Sequence, residues 1–387
     1  MNQLPTVENS AKINRGLSFK IDLQAYTLII ALVLIAIIFG FFTGGEFLSS
    51  RNISNLFTQM SVIAVLAIGM TLIIVAGHID LSVGSLVGLT GGVAAILQVW
   101  YDWNTLMAVL AAVLIGAVFG LWQGWWVAYR AVPAFIVTLG GMLIFRGILI
   151  GLSKGQTVAP MNASFKEIGN SYFPYIPGYL LAVLSIVLLF FWTARNRKKR
   201  ESMGLILPPA KMDYGKISAY SFFILLITYM LNRYLGIPLP ILIVAVLAGV
   251  FIFISNKTAF GRYVYAIGGN QEAAALSGIN IKKNTLWVFI TMGALAGVSG
   301  VVLTSRLNAA TVSAGNMYEL DAIAACVIGG TSLIGGKGKI VGALIGALIM
   351  ASIDNGMSMM NIETFWQYIV KGLILIFAVW IDISSKK

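Results

Sequence analysis

The chain alternates between long apolar runs and short polar connections, and this alternation limits it to folds that cross a membrane. A helix that crosses the hydrocarbon core needs roughly 20 mostly apolar residues. We predict twelve such spans, several of them short, at residues 23–43, 59–77, 83–100, 105–128, 134–152, 178–194, 217–233, 238–255, 285–304, 319–334, 340–355 and 366–382. Only 10% of the 387 residues are charged, which is too few for the surface of a soluble protein. The predicted fold class is an all-α polytopic integral membrane protein.

The distribution of lysine and arginine predicts the orientation. If the N-terminus is cytoplasmic, the inner side collects Lys12, Arg15, Lys20, Arg130, Arg195, Arg197, Lys198, Lys199, Arg200, Lys211, Lys216, Lys257, Arg262, Lys282, Lys283, Lys337, Lys339, Lys386 and Lys387. The outer side keeps only Arg51, Lys154, Lys166, Arg233 and Arg306. Because cytoplasmic loops carry the excess of positive charge, both termini are predicted to be cytoplasmic.

This topology gives a single transmembrane domain, 23–382, between an N-terminal tail, 1–22, and a C-terminal tail, 383–387. We expect it in the cell inner (plasma) membrane, in contact with lipids. The net charge of +12 would also suit a nucleic-acid partner. The cations lie in short loops and form no continuous basic stripe, so no nucleic acid is expected.

The loop 256–284, NKTAFGRYVYAIGGNQEAAALSGINIKKN, is a polar segment between two apolar runs. Its lysines and its arginine predict a cytoplasmic location. Ala273, Leu276 and Ile279 recur at helical spacing after Gly268-Gly269-Asn270, a predicted turn and cap. The pattern predicts a short amphipathic helix that is presented for docking to another protein.

Catalytic and metal chemistry are poorly represented. The single histidine, His78, has only Asp80 nearby, and the single cysteine, Cys326, lies in an apolar run, where it is expected to be a packed residue. The run GGTSLIGGKGK, Gly329 to Lys339, places its lysine wrongly for a phosphate-binding loop, and we predict a tight turn there. We expect no catalytic residue, no metal and no cofactor in this chain.

Polar groups at membrane depth usually face a cavity or the interior of the helix bundle. Nine are candidate pathway residues: His78, Asp80, Ser82, Ser85, Arg146, Glu319, Asp321, Asp354 and Asn355. The first four surround a break between two spans, which is either a pathway wall or a helix start capped by Asp80 or Ser82. Arg146 lies within a span and is expected to meet a carboxylate on another helix. The last four lie at outer span ends, where they suit a neutral sugar or reflect ordinary interfacial polarity.

Glycine recurs at every fourth residue in several runs. Examples are Gly116, Gly120 and Gly124 in one run and Gly293 and Gly297 in another. This spacing lets the backbones of two helices approach closely, so the runs are predicted to pack as tight helix pairs.

Five stretches carry a family resemblance: GHIDLSVGSLVGLTGGVAA, VPAFIVTLGGMLIFRGILIG, TAFGRYVYAIGGNQEAAALSGI, ELDAIAACVIGGTSLIGG and DNGMSMMNIETFWQYIVKG. In this order the chain resembles the permease subunits of bacterial monosaccharide ABC importers of the ribose and xylose type. WWVAYR, 125–130, and ASIDNGMSMM, 351–360, resemble the D-xylose members most closely. The shorter ribose-type members lack two spans, so residues 172–234 are predicted to be an inserted helix pair on a ten-helix core.

The resemblance implies a transport pathway subunit for a monosaccharide, most simply D-xylose. Its implied partners are an ABC ATPase, which would bind the ATP and Mg, a periplasmic sugar-binding protein and a second copy of the chain. The implied contacts with the ATPase are Gly261, Arg262, Gly268, Gly269, Asn270, Glu272, Ala273, Ala274, Ser277 and Gly278. An ion-coupled secondary sugar transporter is the alternative, and it would need ionisable groups at the membrane midplane. An integral-membrane enzyme would need a cluster of acids or histidines.

Overall fold

The computed structural model describes residues 23–205, 207 and 209–384. The predicted tail 1–22, with Lys12, Arg15 and Lys20, lies outside the described residues, as do Lys386 and Lys387. The described helices are α1 (Leu23–Phe42), α2 (Ser50–Val75), α3 (Val83–Val99), α4 (Thr105–Arg130), α5 (Ala134–Ser153), α6 (Ala163–Asn170), α7 (Tyr175–Ser202), α8 (Ala210–Asn232), α9 (Leu239–Lys257), α10 (Ala259–Gly269), α11 (Gln271–Leu276), α12 (Ile281–Leu307), α13 (Tyr318–Ile328), α14 (Ile340–Met359) and α15 (Thr364–Ser384).

Within the described ranges, nine helices are long and apolar enough to cross a membrane: α2, α4, α5, α7, α8, α9, α12, α14 and α15. Two shorter apolar helices occupy residues 27–42 and 83–99. The chain is therefore a polytopic, mostly helical membrane protein, as predicted.

The predicted span at 319–334 differs from the structure. Its helix, α13, has 11 residues and is therefore roughly 16 Å long, about half of the hydrocarbon thickness. The helix ends at Gly329, and Gly330 has a positive φ of 86°, so the apolar sequence continues as a turn. This segment does not cross the membrane as a single helix.

Helix α2 is the centre of the bundle. Nearly all of its residues from Leu56 to Val75 are buried, and it contacts α9, α12, α13 and α14. At the edge of the bundle, α7 and α8 expose most of their surface, and no residue of α15, all of which is described, is buried. The exposed surfaces of these peripheral helices are largely apolar, which suits contact with lipid.

The glycine repeats bring α4 and α12 into backbone contact, which confirms the predicted tight packing. A Cβ atom on Gly293 would fall on the carbonyl oxygen of Gly116 and 3.0 Å from the Cα of Gly120. A Cβ on Gly297 would lie 2.7 Å from the Ala112 oxygen. No side chain fits between the two helices at these positions.

The segment 308–317 returns from the end of α12 towards the bundle interior. It begins at Asn308, which has a φ of 54° and ends α12, and Ala310 pairs with Val158 through two backbone hydrogen bonds of 2.9 Å. Gly315 then lies directly against Gly84, so closely that a Cβ on either glycine would overlap the backbone of the other. This return places the first turn of α13 against the start of α3.

The predicted insertion begins and ends at one point of the structure. Strand β1 (Tyr172–Phe173) and strand β2 (Ile237–Pro238) pair antiparallel, with Tyr172 opposite Pro238 and Phe173 opposite Ile237. Helices α7 and α8 pack against each other beyond this short ladder. The two ends of the pair therefore leave the bundle side by side.

Candidate functional site

Residues 256–284 form two helices outside the long spans. Thr258 starts α10, where its hydroxyl accepts a hydrogen bond from the Gly261 N–H at 3.2 Å. Asn270 starts α11 and accepts from the Ala273 N–H at 2.9 Å, which confirms the predicted cap. The predicted turn at Gly268-Gly269 is wrong, because both glycines belong to the last turn of α10. Ile279 lies beyond the end of α11.

Two glycines of α10 lie against backbone and leave no room for a side chain. A Cβ on Gly268 would overlap the Val75 carbonyl at the end of α2 and lie 2.7 Å from the Gly336 nitrogen. A Cβ on Gly261 would overlap the carbonyls of Ile254 and Ser255 in α9. By contrast, Gly269 has no atom within 4 Å of its Cβ position. Helix α10 is therefore seated directly on α9 and α2.

The turn 329–339 completes this seat. The Gly336 N–H donates to the Val75 oxygen at 2.9 Å, and the Tyr265 hydroxyl of α10 donates to the Gly338 oxygen at 2.7 Å. Burial raises the pKa of Tyr265, which keeps its hydroxyl protonated as a donor. The predicted tight turn is confirmed, and it links α10 to the connection between α13 and α14.

The opposite face of this loop is exposed on the surface of the chain. Leu276, the last residue of α11, has 90% of its surface exposed, and Arg262, Glu272, Ala273, Ser277 and Gly278 are also exposed. Ala274 is buried and anchors α11. This face therefore presents one large apolar side chain among exposed polar and small residues.

A groove of about 590 Å³ lies beside these helices, between α9, α10 and α12. Aromatic rings of Phe251, Phe260, Tyr263 and Trp287 line it, together with Lys283. The loop therefore presents a projecting apolar residue next to a concave, mostly apolar surface.

The break between α2 and α3 is organised by a buried carboxylate. Asp80 accepts from the Ser82 N–H at 2.8 Å and from the Ser82 hydroxyl at 2.6 Å, and Gln123 of α4 donates to the same hydroxyl at 2.7 Å. Ser82 occupies the N-cap position of α3, but its side chain accepts no bond from the helix. Burial raises the pKa of Asp80, which lies between the two helices, to about 6, and the two bonds from Ser82 oppose this rise.

The other predicted residues of this break lie close by. Ser85 is buried in the first turn of α3. The His78 ring lies 5.8 Å from the Phe289 ring of α12, centroid to centroid. Ser85 is in the packed interior of the bundle, and His78 is partly buried.

Within the described residues Arg146 forms no close ion pair, although the predicted carboxylate on another helix, Glu319 of α13, attracts its guanidinium from a greater distance. Its guanidinium donates to the backbone oxygens of Val312, at 2.5 Å, and Ala314, at 2.9 Å. Glu319 lies at the start of α13, close to Gly84 of α3. Arg146 therefore fixes the returning segment 308–317, which carries the start of α13.

Asp321 and Asp354 meet through a residue that the sequence analysis missed. The Lys371 ammonium of α15 lies 3.0 Å from an oxygen of Asp321 and 2.8 Å from an oxygen of Asp354. The other carboxylate oxygen of each aspartate is buried without a hydrogen-bond partner in the described part of the chain. This triad joins α13, α14 and α15. Lys371 lies within an apolar run, and its isolated positive charge there is the sequence feature that could have predicted a buried ion pair.

Asn355 belongs to a different polar region. Asn52 at the start of α2 donates to the Asn355 side-chain oxygen at 2.8 Å and to the Phe47 carbonyl at 2.9 Å. Asn52 also lines a cavity of about 570 Å³ together with Asn55, Tyr172 and Arg306. We call this the Asn52 cavity. Amide, hydroxyl and guanidinium groups around a space of this size suit a neutral sugar.

The structure thus divides the nine predicted pathway residues into three neighbourhoods. His78, Asp80, Ser82 and Ser85 lie at the start of α3 beside Glu319 and Arg146, Asp321 and Asp354 lie around Lys371, and Asn355 lies with Asn52. In the described part of the chain no group of three or more His, Cys, Asp or Glu side chains is placed to hold a metal. Cys326 is buried, with its sulfur 3.5 Å from the Thr71 hydroxyl.

Comparison with known proteins identifies a matching family and several similar permeases. Residues 52–379 match the family described as branched-chain amino acid transport system / permease component. The chain is 50% identical to the xylose transport system permease protein XylH of Haemophilus influenzae, over 95% of this chain and 98% of the relative. It is 48% identical to the XylH of Escherichia coli K12, over 95% and 93%.

A ribose import permease protein, RbsC of Escherichia coli K12, is 38% identical over 93% of this chain and 94% of the relative. No solved structure matches the chain.

Proposed function

The chain belongs to the branched-chain amino acid transport system / permease component family, and on that basis we propose that it is the permease subunit of an ATP-driven importer for D-xylose. The substrate proposal is supported by the identity of about one half to permeases named for xylose, against 38% for the ribose permease. The chain is a transport component of the inner membrane, and the ATPase activity resides on a separate partner chain. The relatives named above are permeases of xylose and ribose transport systems, and none of them is named as an ion-coupled carrier.

The observation that best supports this proposal is the position of α10 and α11 in the structure. One side presents Leu276 and its exposed neighbours, and the other side is seated on backbone of α2 and of the turn 329–339. A partner that pushes on the exposed side therefore moves the end of α2 and the connection between α13 and α14. We call residues 256–284 the coupling loop.

We assign the contact with the ATPase to this loop. Arg262, Gly269, Asn270, Glu272, Ala273, Ser277 and Gly278 contact the ATPase through their exposed surfaces. Gly261, Gly268 and Ala274 act from the other side of the helices, where they transmit the displacement. The apolar groove beside α10 receives apolar side chains of the ATPase.

Transport then follows as an alternation between two packings of the bundle. ATP-driven closure of the ATPase pair moves α10, and through Val75 and Gly336 the movement reaches α2, α13 and α14. Asp321 and Asp354 lie on α13 and α14, and Asp80 lies in the break that follows α2. The Asn52 cavity is the entrance to which a periplasmic binding protein delivers the sugar. The chain needs no catalytic residue or cofactor for this role, since ATP and Mg bind the partner.

The finer topology is part of the proposal. Twelve membrane segments, of which α13 with its returning segment is one, place both termini in the cytoplasm and the coupling loop on the ATPase side. Residues 172–234 are an insertion, and the antiparallel pairing of its two flanks supports this boundary. The functional unit is a dimer of this chain with two ATPase subunits.

The test is uptake of labelled D-xylose into proteoliposomes that contain the chain, its ATPase and its binding protein. We expect uptake only with all three components and hydrolysable ATP, and less uptake of ribose. Uptake by the chain alone under a proton or sodium gradient would replace the proposal with a secondary transporter. ATP-dependent uptake of another sugar in preference would retain the importer and reject xylose.

A further inference from the structure

A cavity of about 600 Å³ separates the ends of α7 and α8 that lie furthest from the β1–β2 ladder. We call it the α7–α8 cavity. Its wall on α7 includes Leu189, Trp192, Asn196, Lys199 and Arg200, and its wall on α8 includes Asp213, Lys216, Ile217 and Tyr220. These positions recur every three or four residues, so each helix contributes one continuous face. Met203 and Leu207, in the connection between the two helices, also line the cavity. The described lining belongs to these two facing helix surfaces and their connection, and no other described span contributes to it.

The lining changes from apolar to cationic along the cavity. Since α7 and α8 run in opposite directions, Leu189 and Trp192 lie level with Ile217 and Tyr220, towards the middle of the helices. Arg200 lies at the other end, near the start of α8. This order matches a molecule with an apolar body and a charged head.

The cationic end has more positive charge than it neutralises internally. Arg197 is paired with Asp213. The side chains of Lys199, Arg200 and Lys216 form no ion pair with any described residue. Four cations and one carboxylate around the cavity leave a net charge of +3. Lys199, Arg200 and Lys216 are exposed, so their charges are available to an anion.

The position of the cavity at the edge of the bundle indicates which class of anion binds there. Helices α7 and α8 expose most of their apolar surface at the edge of the bundle, so the cavity opens to lipid. Basic clusters at the cytoplasmic ends of transmembrane helices attract anionic lipids, and basic pockets between such helices hold their head groups. A soluble phosphate would use the charges but leave the apolar wall at Trp192 and Ile217 uncovered.

We propose that the α7–α8 cavity is a binding site for one anionic phospholipid of the inner leaflet. The phosphate lies among Lys199, Arg200 and Lys216, and an acyl chain runs along Leu189, Trp192 and Ile217. The site gives the inserted helix pair a role that is independent of the transported sugar. A bound lipid bridges the two helices where their own contacts leave a gap.

The test is native mass spectrometry of the full-length chain titrated with cardiolipin, phosphatidylglycerol or phosphatidylethanolamine. The site variant replaces Lys199, Lys216 and Arg200 with glutamine. The matched control replaces Arg195, Lys198 and Lys211 with glutamine, which removes the same charge from exposed positions outside the cavity. We expect the wild-type chain to bind the two anionic lipids in preference. The site variant should bind them at least about tenfold more weakly, and the control about as well as wild type.

Equal losses in the two variants would reduce the effect to diffuse attraction and overturn the proposal. Equal binding of phosphatidylethanolamine, or displacement of the lipid by inorganic phosphate at millimolar concentration, would also overturn it. A second measurement uses the wild-type chain alone, in case the site variant does not fold. An anionic lipid with a photoreactive acyl chain should cross-link to the peptides that contain Trp192 or Ile217, and cross-links confined to other helices would refute the site.

Discussion

Replacement of Gly268 with alanine tests whether α10 is mechanically joined to the bundle. The added methyl group would overlap the Val75 carbonyl and crowd the Gly336 nitrogen, and both neighbours are backbone atoms that cannot rotate away. Overpacking of this kind costs about 1–3 kcal/mol, and loss of the bond between Gly336 and Val75 costs about 1 kcal/mol more. The gain in helix propensity returns about 1 kcal/mol. The net cost is about 2 kcal/mol, or about 30-fold in the equilibrium for seating α10.

Gly269→Ala is the matched control, because it adds the same methyl group in the same turn of α10 where nothing lies within 4 Å. Thermal unfolding in detergent and ATP-driven uptake in proteoliposomes are measured for both variants. We expect Gly268→Ala to lower the melting temperature by several degrees and to lose most of its uptake, while Gly269→Ala, at an exposed position of the proposed ATPase contact, retains the melting temperature. Equal behaviour of the two variants would refute the idea that the contact with Val75 transmits movement.

Three further predictions follow from the contacts described above. Leu276→Asp should lower ATPase affinity at least about tenfold without changing the melting temperature, because the side chain is 90% exposed; unchanged co-purification of the ATPase would contradict the docking role. Lys371→Met leaves Asp321 and Asp354 without their cation and should destabilise the protein by about 3–5 kcal/mol, as judged by thermal unfolding, whereas Lys371→Arg should retain most of the stability; equal losses would show that charge is not what the site requires. Gln123→Ala removes one buried bond and should cost about 1–3 kcal/mol in the same assay, and a value near zero would mean that the bond to Ser82 does not stabilise the break.

Apolar run length predicted most of the fold. A helix that satisfies its own backbone within lipid needs only length and apolarity, so these properties of the sequence are sufficient to find it. They were insufficient for α13, because the apolar residues continue past the helix end into the turn at Gly329 and Gly330. Run length does not distinguish a helix from an apolar turn that is covered by neighbouring helices.

The details of the site depended on contacts between distant residues. The cap at Asn270 is local and was predicted, whereas the role of Gly268 required knowledge that Val75 lies against it. Lys371 was missed because its partners are 17 and 50 residues away in the chain. Arg146 was assigned a carboxylate, yet the backbone oxygens of the returning segment satisfy it. Packing between helices determines these pairs, and a single sequence does not contain it explicitly.

The ladder formed by β1 and β2 makes the attached hairpin modular. Phe173 and Ile237 are paired neighbours in the ladder, so the chain leaves and re-enters the bundle at nearly the same place. The length of the segment between these two residues therefore adds little strain to the rest of the fold. A segment of another length, such as a reporter domain or an affinity handle, can be spliced between the same two residues with the anchor unchanged. The fold thus offers a defined insertion point for engineering at the opposite end of α9 from the coupling loop.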